Sequence, residues 1–153
     1  MSAPTHPDAA TIALRAWRRE GGRLRLLVRG WSMAPLLQPG DGVELEPCPL
    51  AGLRPGAILV VQQDTGLLTH RLVRAERHAL WLWGDGLPAP DAPVAPEALV
   101  GQVIARERGG RRLMLRGWQW ERLGRAMVRP RGRRLVRLAL TMALAYKVGA
   151  TRP

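Results

Sequence analysis

The 153-residue chain contains no phenylalanine and only one tyrosine, one cysteine and one lysine. Each scarcity removes something. The lone cysteine, Cys48, excludes an intramolecular disulfide, so cysteine pairing says nothing about redox compartment. It stands in the loop-like run Glu46-Pro47-Cys48-Pro49-Leu50, with no helix start or histidine beside it to activate a thiolate. The lone lysine, Lys147, lies far from every motif, which argues against lysine as a general base. No His/Cys cluster has metal-ligand spacing, so neither metal nor cofactor is called for. A run of about 20 apolar residues, needed to span a bilayer, is also missing. The most apolar stretch, Leu135 to Tyr146, is interrupted by Arg137 and as a helix would reach only about 18 Å. Met1 to Ala10 lacks a basic segment followed by an apolar one, so the expectation is a cytoplasmic chain without a cleavable signal peptide.

Charge is present in excess, but only at one end. Residues 1–105 hold ten basic and ten acidic groups, whereas residues 106–153 hold fourteen basic and two acidic. The whole formal charge of +12 therefore sits in the C-terminal third. Such an end suits an anionic partner, a membrane surface ahead of a nucleic acid, or else it is a solvated basic face. The length allows one core and not two.

Periodicity divides the chain into three parts. Ile12, Leu14 and Trp17 among Arg15, Arg18, Arg19 and Glu20 predict a short amphipathic helix over 9–20, ended by Gly21-Gly22. From 21 to 116 the pattern predicts strands: 23–29 and 43–46 alternate at period two, and 57–61 is a branched apolar run. Asp64-Thr65-Gly66 reverses the chain into 67–73. Further strands are expected at 79–83, 99–105 and, after a turn at Gly109-Gly110, 111–115. A Pro-rich loop, 84–97, carries Asp85 and Asp91. Residues 117–153 read as a basic helical tail, with Pro130-Arg131-Gly132 separating a first helix from a second around 133–147. The expected fold is mainly β, with a short N-terminal helix and a C-terminal helical tail.

Within the β region three residue types combine into chemistry. A serine hydroxyl is a poor nucleophile until a base takes its proton, and that base needs a third group to set its tautomer. Ser32 stands in Gly30-Trp31-Ser32-Met33-Ala34-Pro35, followed by Gly40-Asp41; His70 stands in Thr69-His70-Arg71; Asp85 and Asp91 lie six residues apart in the Pro-rich loop. Of the other histidines, His6 falls in a Pro-rich N-terminus and His78 near a turn.

These runs resemble the Ser-Met-x-Pro and Gly-Asp box shared by type I signal peptidases and the self-cleaving LexA-like repressors, over about residues 24–105. Where the bacterial enzymes carry a lysine base, Thr69-His70-Arg71 looks like the His-Arg motif of the archaeal and endoplasmic-reticulum type signal peptidases. The resemblance implies a signal-peptidase/LexA-like catalytic β domain with Ser32 as nucleophile, His70 as general base and Asp91 as orienting acid. Asp85, Met33, Gly30 and Arg71 would support them, and Trp31 would line the substrate cleft or pack over the turn. The implied activity is serine endopeptidase cleavage of a leader or signal segment from a precursor, next to small side chains.

Two departures stand out. Gly30 occupies a position where signal peptidases usually place a hydroxyl that stabilises the oxyanion, which leaves that task to backbone N–H groups, the Ser32 amide first. Signal peptidases usually carry an N-terminal membrane anchor as well, and with no apolar run of that length the expectation here is a protein without one. A weak or inactive peptidase-fold module that binds membrane or nucleic acid through its Arg-rich tail, and a LexA-like self-cleaving protein, are the alternatives.

Overall fold

Alternating side chains and glycine turns build a sheet through the middle of the chain. A computed structural model describes residues 9–149. Among them run the strands β1 (Leu24–Leu27), β2 (Gly42–Glu46), β3 (Ile58–Gln63), β4 (Gly66–Ala75), β5 (Leu80–Trp83), β6 (Leu99–Arg108) and β7 (Arg111–Met114). Helix α1 (Ala9–Glu20) precedes them, and α2 (Trp118–Met127) and α3 (Pro130–Gly149) follow. His6 lies outside the described residues. The strands pair antiparallel in the order β1-β2-β6-β3-β4-β5. Strand β6 is the spine: β2 runs along one side, while the other side pairs with β3 at Leu99–Gln102 and with β7 at Ala105–Arg108.

The apolar run in β3 explains why the sheet has two buried faces. Ile58 and Val60 point into a core with Leu14 and Trp17 of α1, Met33, Leu36, Leu37, Val43 and Val103. Leu59 and Val61 point the other way, into a second core with Leu72, Leu80, Leu82 and Leu99. Period two places alternate residues on opposite faces, so a strand apolar at every position is covered on both. Buried apolar surface is worth roughly 25 cal/mol per Å², and these two clusters hold most of it.

The C-terminal helices begin with close packing on the sheet domain. A Cβ on Gly56, which leads into β3, would stand 2.4 Å from the Gly124 carbonyl carbon of α2. Two glycines therefore allow backbone to touch backbone, and Met127 is buried below them. The Pro130-Arg131-Gly132 run does not separate two helices as its composition predicts; it forms the first turn of α3. Proline suits a first helical turn, where its missing N–H costs nothing. Gly132 is needed there because a Cβ would lie 2.5 Å from the Ala126 carbonyl oxygen. Among the described residues no helix is long and apolar enough to cross a membrane.

Candidate active site

Ser32 lies in the loop joining β1 to β2, and that loop is closed at its base. The Val28 N–H donates to the Asp41 carbonyl at 2.8 Å, and the Gly40 N–H donates to the Val28 carbonyl at 2.9 Å. Buried Met33, Leu36 and Leu37 fasten the loop into the first core. Its far side is held by side chains: Arg106 Nη1 donates to the Leu36 carbonyl at 2.8 Å, and Arg108 makes two 2.6 Å bonds to the Asp41 carboxylate. Asp41 also accepts the Gln38 N–H at 2.8 Å. Its hydrogen bond holds the Arg108 pKa above the usual guanidinium value, whereas burial and then the Arg108 charge pull Arg106 below it. Asp41 thus fixes the Gly40-Asp41-Gly42 turn, with Arg108 of β6 as a partner that no local pattern indicates.

His70 and Arg71 are adjacent on β4 and both are buried. His70 Nδ1 lies 2.5 Å from Asp91 Oδ2. A carboxylate only accepts, so Nδ1 carries the proton, and in a neutral imidazole the lone pair is then on Nε2. That Nε2 is buried and has no hydrogen-bond partner among the described residues. Arg71 makes a two-pronged contact with Asp85, Nε to Oδ1 at 2.8 Å and Nη2 to Oδ2 at 2.6 Å, and its Nη1 donates to the Gly56 carbonyl at 2.7 Å. Asp85 has no exposed surface, so the pair neutralises two charges taken out of water.

The Gly84-Asp85-Gly86 loop brings these pieces to Ser32. A Cβ on Gly84 would stand 2.7 Å from the Ser32 carbonyl oxygen and 2.9 Å from His70 Nε2. Serine turn and imidazole therefore approach one point that only a glycine leaves open. The Gly86 N–H donates to the Ser32 carbonyl at 2.7 Å, and the Asp85 N–H faces Met33 Sδ at 3.4 Å. Among the described residues Ser32 Oγ makes no hydrogen bond. The histidine–aspartate half of the constellation is formed and the serine lies beside it, but the serine–histidine hydrogen bond is not made.

Other expected residues fall as follows. Trp31 is 67% exposed, so its ring is not packed over the turn. Gly30 is exposed, and nothing lies within 4 Å of a Cβ placed there. His78 is exposed after the end of β4 and takes no part. Burial pushes the half-buried Cys48 thiol up, against the opposing charge of Arg18, the reverse of what a nucleophilic cysteine needs. A cavity of about 240 Å³ lies elsewhere, walled by Arg54, Gly56, Arg71, Gln102, Arg116 and Trp120. Ser32, His70 and Asp91 are not among its walls.

One residue near the site escapes sequence reasoning. Arg133 of α3 is buried, stacks 3.8 Å from the Trp83 ring centroid and donates through Nη2 to the Gly84 carbonyl. Burial lowers its pKa, with Asp85 opposing and Arg137 and Arg71 adding to the fall. No known family model matches this chain, and no curated protein is significantly similar to it.

Proposed function

We propose that the protein is a serine endopeptidase resembling signal peptidase, with Ser32, His70 and Asp91 as its catalytic residues, which removes a leader or signal segment from a polypeptide precursor. The observation that carries this reading is the buried His70, oriented by Asp91 through Nδ1, whose unpartnered Nε2 faces the same gap over Gly84 as the Ser32 backbone. The motif resemblance supports it, and a mainly antiparallel β sheet is compatible with it.

In this reading, rotation of the Ser32 side chain or a small closure of its turn on substrate brings Oγ onto His70 Nε2. Apo sites commonly tighten in this way. Nε2 takes the Oγ proton as Oγ attacks the scissile carbonyl, and Asp91 stabilises the imidazolium. The proton passes to the leaving amine, and water then releases the acyl group from Ser32. The Ser32 N–H, without a partner among the described residues, is the oxyanion donor. On its outer side, β4 from Gly66 to His70 has no strand partner among the described residues, so an extended peptide can add there beside His70.

The C-terminal helix supplies the site's attachment to an anionic membrane surface, at the cytoplasmic face. Leu135, Leu138 and Met142 are 71%, 55% and 62% exposed along one face of α3, with exposed Arg131, Arg134 and Arg137 on the same helix. An apolar stripe flanked by arginines is the pattern of an interfacial helix.

A fluorophosphonate probe tests the chemistry. Mass spectrometry of the full chain should find one adduct on Ser32, lost in both Ser32→Ala and His70→Ala. A folded wild type that takes no label would sink the peptidase reading and promote the non-catalytic binding module. Chain shortening on storage that Ser32→Ala abolishes would assign the serine to self-cleavage instead.

A further inference from the structure

We infer that Arg133 is a positioning residue for the Ser32–His70 site, which makes helix α3 a working part of the catalytic domain; this rests on the peptidase reading above. The Gly84-Asp85-Gly86 loop holds the Ser32 carbonyl through the Gly86 N–H and leaves the gap that His70 Nε2 faces. Its placement therefore decides how serine and histidine meet. Two guanidinium groups fix it. Arg71, next to His70 on β4, grips the Asp85 carboxylate, and Arg133, from α3, grips the Gly84 carbonyl.

Stability alone is a poor explanation for Arg133. Among the described residues its Nε is buried without a partner, and its one ring contact is with Trp83, whose centroid lies 3.8 Å from Cζ. A buried cation with an unsatisfied donor costs free energy, and an apolar side chain of similar volume would cover Trp83 without that cost. What only a guanidinium supplies here is a planar face for the indole together with donors aimed at backbone oxygens. Nη2 reaches Gly84, and Nη1 reaches the Met127 carbonyl at 3.2 Å, which ties the end of α2 to the same group. The anchor beneath is the Gly56–Gly124 contact, and Gly56 also accepts a bond from Arg71. The two arginines thus share one support, reached from the sheet on one side and from the helices on the other.

The Gly84 carbonyl also accepts the Leu87 N–H at 3.0 Å, so replacing Arg133 does not leave that oxygen orphaned. This makes Arg133→Met a fair test in the full chain, with Arg133→Lys as the conservative partner. Labelling by the fluorophosphonate probe is followed to saturation to separate kinact from KI, with thermal melting as the check on folding. Arg133→Met should lower kinact about 10- to 100-fold, as small misplacements of catalytic groups do, with KI within about twofold. Arg133→Lys should fall between the two, and added methylguanidinium should restore part of the Arg133→Met rate. Wild-type kinact in the Met variant, or in the Lys variant should the Met variant not fold, overturns the positioning role while leaving the peptidase reading intact. A slowed variant that methylguanidinium does not rescue also overturns it, since general loosening explains that result. An unlabelled wild type overturns the peptidase reading, and this role with it.

Discussion

The sheet and the C-terminal helices treat their charges in opposite ways. Every ion pair among the described residues lies between Arg23 and Arg116, and the pairs that matter most, Arg71–Asp85 and Arg108–Asp41, are buried on at least one side. Beyond Arg116 the arginines of α2 and α3 have no carboxylate partner among the described residues, and all but Arg133 are exposed. The sheet uses charge to position backbone: guanidinium groups reach Leu36, Gly56 and, from α3, Gly84. The helices leave charge in water, where it is worth little for stability and much for attraction to anions. Arg133 is the exception that joins the two regions.

Four variants and one reagent sharpen this contrast, and the sheet should respond most. Asp91→Asn leaves the shape of the site in place but replaces an accept-only carboxylate with an amide that can also donate, so the His70 tautomer is no longer fixed. The labelling rate should fall by about 10⁴-fold with the melting temperature nearly unchanged, as in other triads; a mild effect would remove Asp91 from the triad. Asp85→Ala strands Arg71 as a buried, unpaired cation, and urea denaturation should show a loss of about 3–5 kcal/mol.

The helices should respond next, and differently along their length. Gly124→Leu forces a side chain into the Gly56 backbone, so about 1–3 kcal/mol of stability should go, with a slower labelling rate as Arg133 shifts. Unaltered stability would show that α2 is not held by this contact. Changing Arg131, Arg134 and Arg137 together to Gln should alter stability by no more than about 0.5 kcal/mol. Binding to phosphatidylserine vesicles should weaken by about 1 kcal/mol per arginine, measured by sedimentation. Equal binding by the triple variant would leave the basic helix as a merely solvated face. The smallest effect concerns Cys48. With its thiol pushed up by burial, alkylation by iodoacetamide at pH 8 should be slower than for a small free thiol and should rise as pH increases.

Much of the β domain is legible locally. Strand β3 is apolar at each position from Ile58 to Val61 because both faces are covered, and the glycine pairs at 21–22 and 109–110 mark chain reversals with positive φ. Helix α1 ends where expected, at Glu20 before those glycines. The start of α3 is misread because Pro-Arg-Gly has the composition of a break, while proline is equally at home in a first helical turn. The site divides along the same line. Ser32, His70, Asp85 and Asp91 stand out by type and spacing, whereas the requirement for glycine at 84 follows only from what approaches it from Ser32 and His70. Arg133 carried no signal at all, being one arginine among many in a basic segment.

By itself the sequence determined the alternation that makes strands, the turns between them, the charge asymmetry and the presence of a serine, a histidine and two aspartates in the motif order. Those properties depend on residue type and on neighbours within a few positions. The motif resemblance had already set Asp91, and not Asp85, beside His70; only the tertiary structure decided that Arg71 takes Asp85 and that one arginine of the basic end turns inward onto Gly84. Such choices join positions 14 to 49 residues apart. They rest on which side chain is buried beside which, and no local pattern encodes that.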